Sequence, residues 1–277
     1  MDLESRSLSE ANPQASPIGP IAGSIQTVKV DAPFVWLAKG WIDFSQKPLL
    51  SILYGLFFSL IGLGLAVGLH LANLDYLIYP LTAAVILGGP ILTLGIYAIS
   101  RRLEYGGELK IGKCLTAWRH NRFHVLTAGF VFMLFALVWS RAAVLTFVIS
   151  FPYIGMNLDV FFEKELFTMD GLIFIIVGTS IGAFLATIAF IVGVVSLPML
   201  LDRKVDFLTA AIVSFLVVKR NKAAMFTWAA LIVMFIGVGL ATAYIGLAVT
   251  LPLIGYASWH AYRECVDASA WPQTPLE

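Results

Sequence analysis

Charge is what this sequence has least of. Only 13% of its 277 residues are Asp, Glu, Lys or Arg, against 59% hydrophobic, whereas a soluble domain draws about a quarter of its residues from those four types. That scarcity excludes a chain wetted on all sides. The few charges are also clustered. From Pro48 to Ser100 the single formal charge is Asp75, from Phe123 to Leu158 it is Arg141, and Gly171 to Leu201 and Ala223 to Tyr262 carry none. Such gaps are membrane-sized, because about 20 apolar residues rising about 1.5 Å each cross a hydrocarbon layer about 30 Å thick. Walker, HExxH and nucleophile-elbow patterns are missing too, and the loops are too short for a catalytic domain outside the membrane.

What is there reads as an all-α polytopic transmembrane bundle of six spans, at about 49–69, 76–100, 123–150, 171–200, 223–240 and 243–262. The 40 residues from Ala223 to Tyr262 would make a helix of about 60 Å, twice the hydrocarbon thickness, so they are divided by a turn near Gly237 to Thr242. The apolar stretch Val205 to Val218 is too short to span and contains Asp206. The opening 20 residues carry acids and no apolar run of the kind an export signal needs. Residues 1–32 are expected to be a disordered cytoplasmic tail, 33–266 the six-helix domain and 267–277 a second cytoplasmic tail.

Lys and Arg are retained on the cytoplasmic side. Sixteen of the 18 basic residues lie in the N-terminal region, Arg101 to Arg122, Arg203 to Lys222, and Arg263, which six spans place on one side; Arg141 and Lys164 fall elsewhere. Both termini are therefore expected in the cytoplasm of a bacterium, with the chain in its inner membrane. Cys114 and Cys265, the only cysteines, fall on that side, where thiols stay reduced, so no structural disulfide is expected.

The six spans group as three hairpins, each preceded by an interfacial amphipathic helix. Phe34, Leu37, Trp41 and Phe44 recur at helical spacing before the first, Ile111, Leu115 and Trp118 before the second, and Val205, Leu208, Ile212 and Phe215 before the third. Each ends in a related tetrapeptide, SQKP, HNRF or RNKA: an amide, a cation, then the membrane. The second spans also rhyme, with Pro90 eleven residues before Arg101 and Pro252 eleven before Arg263, and LPMLLDRK around Pro198 as a divergent third copy.

The runs GWIDFSQKPLLSILYGLFFSLIGLGL, YPLTAAVILGGPILTLGIYAISRRLE, SLPMLLDRKVDFLTAAIVSFLVVKRNKAAMFTWAALIV and GLAVTLPLIGYASWHAYRE resemble an uncharacterised bacterial family catalogued as domain of unknown function 2189, over roughly Trp36 to Val266. The resemblance implies an integral membrane protein and supplies no activity. Some members carry a cytochrome c oxidase subunit label. A haem-copper core needs several histidines facing the bundle interior, and His70, His120, His124 and His260 lie near span ends, so no cofactor or metal is expected.

Arg141 is the most expensive residue, since a mid-helix arginine costs about 2.5 to 3.5 kcal/mol on insertion scales. It is expected to snorkel outward or to pair with the acidic loop of Asp159, Glu163, Glu165 and Asp170. His120 and His124 share a helix face at i, i+4 without a third ligand. Tyr256, His260 and Arg263 form a polar patch at the inner end of the last span, expected to pack near Tyr97 and Arg101. Gly64 and Gly68 form a small-xxx-small face for helix packing, within the bundle or between protomers. The expected role is a non-catalytic scaffold, assembly or envelope-associated factor, with a transporter or channel component and then a respiratory-oxidase accessory as alternatives. The expected partners are the lipid bilayer and a second copy or another membrane protein, not nucleic acid.

Overall fold

The computed structural model describes residues 21, 23–74, 77–78, 81–82, 85, 89–107, 109–151 and 168–275. Among them the chain is helical, with isolated bridges Ile25 to Val266 and Arg203 to Gln273 in place of any sheet. In chain order the helices are α1 (Ala32–Gln46), α2 (Pro48–Leu71), α3 (Gly89–Leu92), α4 (Leu94–Tyr105), α5 (Ile111–Thr116), a 3-10 turn (Ala117–Asn121), α6 (Arg122–Ser150), α7 (Met169–Gly193), α8 (Ser196–Asp202), α9 (Phe207–Arg220), α10 (Lys222–Ala241) and α11 (Leu247–Cys265).

Four helical runs among the described residues are long and apolar enough to cross a membrane: Pro48–Leu71, Gly112–Ser150, Met169–Asp202 and Lys222–Ala241. Two expected spans do not join them. Much of 75–88 lies outside the described residues. α11 is long enough but spends Thr250, Ser258, His260 and Arg263 within its 19 residues, because it is the central helix rather than a lipid-facing one. It packs against α1, α2, α4 and α10, and Tyr256, Trp259 and Tyr262 are wholly buried. The outer faces of α2 and α6 instead present Leu53, Phe57, Leu126, Phe130 and Leu137, as lipid contact demands.

Close packing here depends on backbone reaching backbone. Pro252 has no N–H, so the carbonyl of Ala248 on α11 loses its helical partner. That carbonyl lies against Gly55 of α2, where an added Cβ would stand 2.3 Å from it. Gly40 of α1 meets the backbone of Ala257 in the same way. By contrast, an added Cβ on Gly64 or Gly68 meets nothing within 4 Å, so the expected glycine face does not pack within the described bundle. On α2 the glycine that meets α11, Gly55, lies about two and a half turns before Gly64.

The expected apolar stripe of α1 is divided. Phe44 is buried together with Trp36, Gly40 and Asp43, and Leu37 packs on the core, while Phe34 and Trp41 stay exposed. A helix at the interface has two apolar environments to satisfy, and this stripe serves both.

Two helical breaks recur near one level. Thr93 interrupts α3 and α4, and Val194 with Val195 interrupts α7 and α8. At the second, Ser214 of α9 substitutes for the missing turn, donating from Oγ to the Ile191 carbonyl at 2.6 Å and accepting the Val195 amide at 3.3 Å. An opened turn in an apolar interior needs such a substitute. The α10–α11 turn falls at Thr242 to Gly246 rather than near 237–242. Thr242 Oγ accepts the Gly246 amide at 2.9 Å, and Ala243 and Tyr244 take positive φ of 50° and 66°.

Candidate functional site

The polar residues collect at one end of the bundle, where α4, α8 and α11 finish. α8 stops at Asp202 because Arg203 turns extended, which would leave the last carbonyls of a buried helix without donors. Two side chains supply them. Asn121 Nδ2 donates to the carbonyls of Leu200 at 3.2 Å and Val205 at 2.9 Å, and Thr274 Oγ donates to that of Leu201 at 2.6 Å. Asn121 is the amide of the HNRF tetrapeptide. Asn221, the amide of RNKA, does the same for the N-terminal segment, donating to the Gln26 carbonyl at 3.0 Å and accepting the Val28 amide at 2.9 Å.

The Asp202 side chain is wholly buried and saturated with donors. Arg101 Nε reaches Oδ1 at 2.9 Å, and Arg203 Nε and the Tyr262 hydroxyl reach Oδ2 at 2.9 Å each. Arg101, 3% exposed, spends its remaining donors on the carbonyls of Thr274 and Pro275. Arg203 Nη1 holds the Trp271 carbonyl at 3.0 Å. Burial lowers the Arg101 pKa, and the Asp202 carboxylate opposes that fall. The cluster ties three helix ends to the segment 271–275, the end of the expected C-terminal tail, which lies across them. Its other flank is closed where Gln26 donates to the Cys265 carbonyl at 2.8 Å and Asp267 to that of Ser24 at 2.8 Å.

Two smaller sets flank this one. Asp43 of α1 accepts from Ser100 and contacts His260 Nε2 at 2.9 Å, with the Tyr256 and Ser51 hydroxyls paired at 2.8 Å nearby on α11 and α2. Glu104 accepts the Trp259 indole at 2.8 Å and Arg263 Nε at 2.9 Å, and Arg263 lies over the Tyr105 ring at 5.6 Å. Glu264 similarly accepts the Trp36 indole at 3.1 Å.

Of the residues singled out from sequence, Tyr256, His260, Arg263, Tyr97 and Arg101 lie on α4 and α11, and Tyr97 bonds the Thr93 and Ser258 side chains. Each has its own bonding partner, Tyr256 with Ser51, His260 with Asp43, Arg263 with Glu104 and Arg101 with Asp202, and Arg101 and Arg263 share the Tyr105 ring at 6.0 and 5.6 Å. Arg141 is exposed on α6, and the loop carboxylates Glu163 and Glu165 lie outside the described residues. Sequence reasoning missed Asp43, Glu104, Asp202 and Thr274. The signal for Asp202 was an acid at the end of an apolar run in the divergent copy LPMLLDRK.

These side chains fasten helix ends and the segment 271–275 to one another. Ser100 and His260 both contact Asp43 rather than each other, so the order of a nucleophilic triad, serine to histidine to acid, is not made. No three His, Cys, Asp or Glu side chains gather as a metal site among the described residues.

Residues 78–202 match the family described as predicted integral membrane protein, domain of unknown function 2189 (DUF2189). That stretch runs from the residues before α3 through Asp202. No curated protein and no solved structure matches the chain.

Proposed function

We propose that this integral membrane protein is a non-catalytic scaffold or assembly factor of a bacterial inner membrane. The observation that carries the reading is that the buried charged groups at the polar end are taken up by one another and by chain carbonyls. Asp202 is met by three donors, and Arg101 by Asp202 and two tail carbonyls. A translocation path keeps ionisable groups available to a cargo or a proton relay; these are consumed in fastening helix ends. The finer architecture belongs to the same proposal: six spans in three hairpins, with 75–88 completing the second span and α11 serving as the sixth, and both termini in the cytoplasm. The 16 basic residues on one side support that orientation. Reporter fusions at Gly107, Asn157 and the C-terminus should read inside, outside and inside; an external C-terminus refutes the six-span arrangement.

One observation favours a transporter as the second reading, namely the interruptions at Thr93 and Val194–Val195, since discontinuous helices line many transport sites. Cysteine substitution decides between them. Under the scaffold reading, Thr93→Cys and Ser196→Cys in the Cys114→Ser/Cys265→Ser background resist a membrane-impermeant thiol reagent from both sides. Labelling at either position would reveal a wet path and reverse the order of the two readings.

A further inference from the structure

We propose that the exposed face of the run from Leu115 through Leu137 binds an anionic phospholipid, with Arg119 and Arg122 on the headgroup phosphate and the acyl chains along α6. Within the run Gly112–Ser150, Asn121 takes non-helical angles, φ −132° and ψ 41°, and separates the 3-10 turn from α6. Leu115 and Arg119 lie four apart before it, Arg122, Leu126, Phe130 and Leu137 follow at helical spacing after it, and all are exposed. Phe123, beside Arg122, is 72% exposed. The face therefore changes from cationic to wholly apolar within one turn, as the boundary between headgroup and acyl chain does. From Arg122 to Leu137 the helix rises about 22 Å, more than the roughly 15 Å of one leaflet, so an acyl chain has apolar contact along its whole length.

Several of the other basic side chains are already engaged within the protein. Arg101 and Arg203 are paired with Asp202, Arg263 with Glu104, and Lys39 stands 3.9 Å from Glu264. Arg220 is bonded to Thr27. Among the described residues no carboxylate pairs with Arg119 or Arg122. Arg119 instead lies 5.9 Å over the Trp118 ring, an arrangement that holds a guanidinium at headgroup level. Two guanidiniums three residues apart, one on each side of Asn121, suit a phosphate, which each can engage through a planar fork. The inference needs α6 in the bilayer and is independent of whether the protein is a scaffold or a transporter.

The test is titration of the full-length protein in detergent with phosphatidylglycerol, bound lipid being counted by native mass spectrometry. Arg119→Gln/Arg122→Gln should weaken binding about thirtyfold, each cation near an anionic headgroup being worth about fivefold. Each single exchange should cost about fivefold, Lys39→Gln/Lys47→Gln should leave binding unchanged, and phosphatidylcholine should bind no better to wild type than to the double variant. Wild-type affinity in the double variant overturns the proposal. So does an equal loss in the Lys39/Lys47 pair, which would mean a diffuse surface charge. Displacement of the lipid by inorganic phosphate at equal concentration would refute a site built for a lipid rather than a free anion.

Discussion

Exchange of Asp202 for asparagine tests whether the buried cluster holds the helix ends together. The substitution keeps the shape of the side chain and removes its charge. It leaves Arg101, whose side chain is 4% exposed, with neutral acceptors only, among them the carbonyls of residues 202, 274 and 275. Removing one partner of a buried ion pair costs about 3 to 5 kcal/mol, because the other charge stays buried without compensation. Arg203 is less buried and can turn to solvent, and the amide oxygen still accepts one bond, so the lower figure, about 3 kcal/mol, applies. For a chain of this size that lowers Tm by roughly 6 to 12 °C. The assay is thermal unfolding in mild detergent followed by loss of monodisperse protein, with carboxypeptidase digestion alongside. Since Arg101 and Arg203 grip the carbonyls of residues 271–275, digestion of that segment should accelerate before global unfolding. Arg101→Met/Asp202→Leu should lose less than the sum of the single exchanges, since it removes both charges together. Asp267→Asn, at an exposed acid nearby, is the control and should leave Tm unchanged. A shift under 2 °C in Asp202→Asn, with the tail still protected, would refute the reasoning.

Gly55→Ala should cost about 1 to 3 kcal/mol, because its Cβ would displace the α11 backbone, while Gly64→Ala and Gly68→Ala should be silent; equal Tm values for all three would show that α2 does not approach α11 as described. Ala243→Gly should stabilise by about 1 kcal/mol, relieving a left-handed residue in the exposed α10–α11 turn, and a lower Tm would contradict the turn conformation. Burial pushes the Asp206 carboxyl up, but bonds from Thr209 more than offset it and leave its pKa below the usual value. Its contribution as the α9 N-cap is then complete above the unfolded pKa, about 3.9, and is lost as pH falls through the lower folded value. Asp206→Ala should accordingly cost about 1 kcal/mol at pH 7 and progressively less as pH falls through that lower value, as read from paired melts.

The membrane class of the protein, its helical character and the clustering of its cations are properties of local composition. A segment of about 20 residues without charge has one place to go whatever its neighbours do, so the four clear runs were legible in the sequence. Half of the tetrapeptide pattern was legible too: the amides Asn121 and Asn221 were visible as a repeat, although their work as caps for chain ends nearly 80 and 200 positions away was not. What only the tertiary structure decided is which helix is central and which polar groups meet. α11 is among the less apolar long helices because its Tyr256, His260 and Arg263 find Ser51, Asp43 and Glu104 on three other helices. Asp202, an acid at the end of an apolar run, becomes the acceptor of three side-chain donors for the same reason. Hydropathy is additive along the chain and can be summed from sequence. Pairing of buried charges depends on distances between helices, and those are set by where glycine lets two backbones touch.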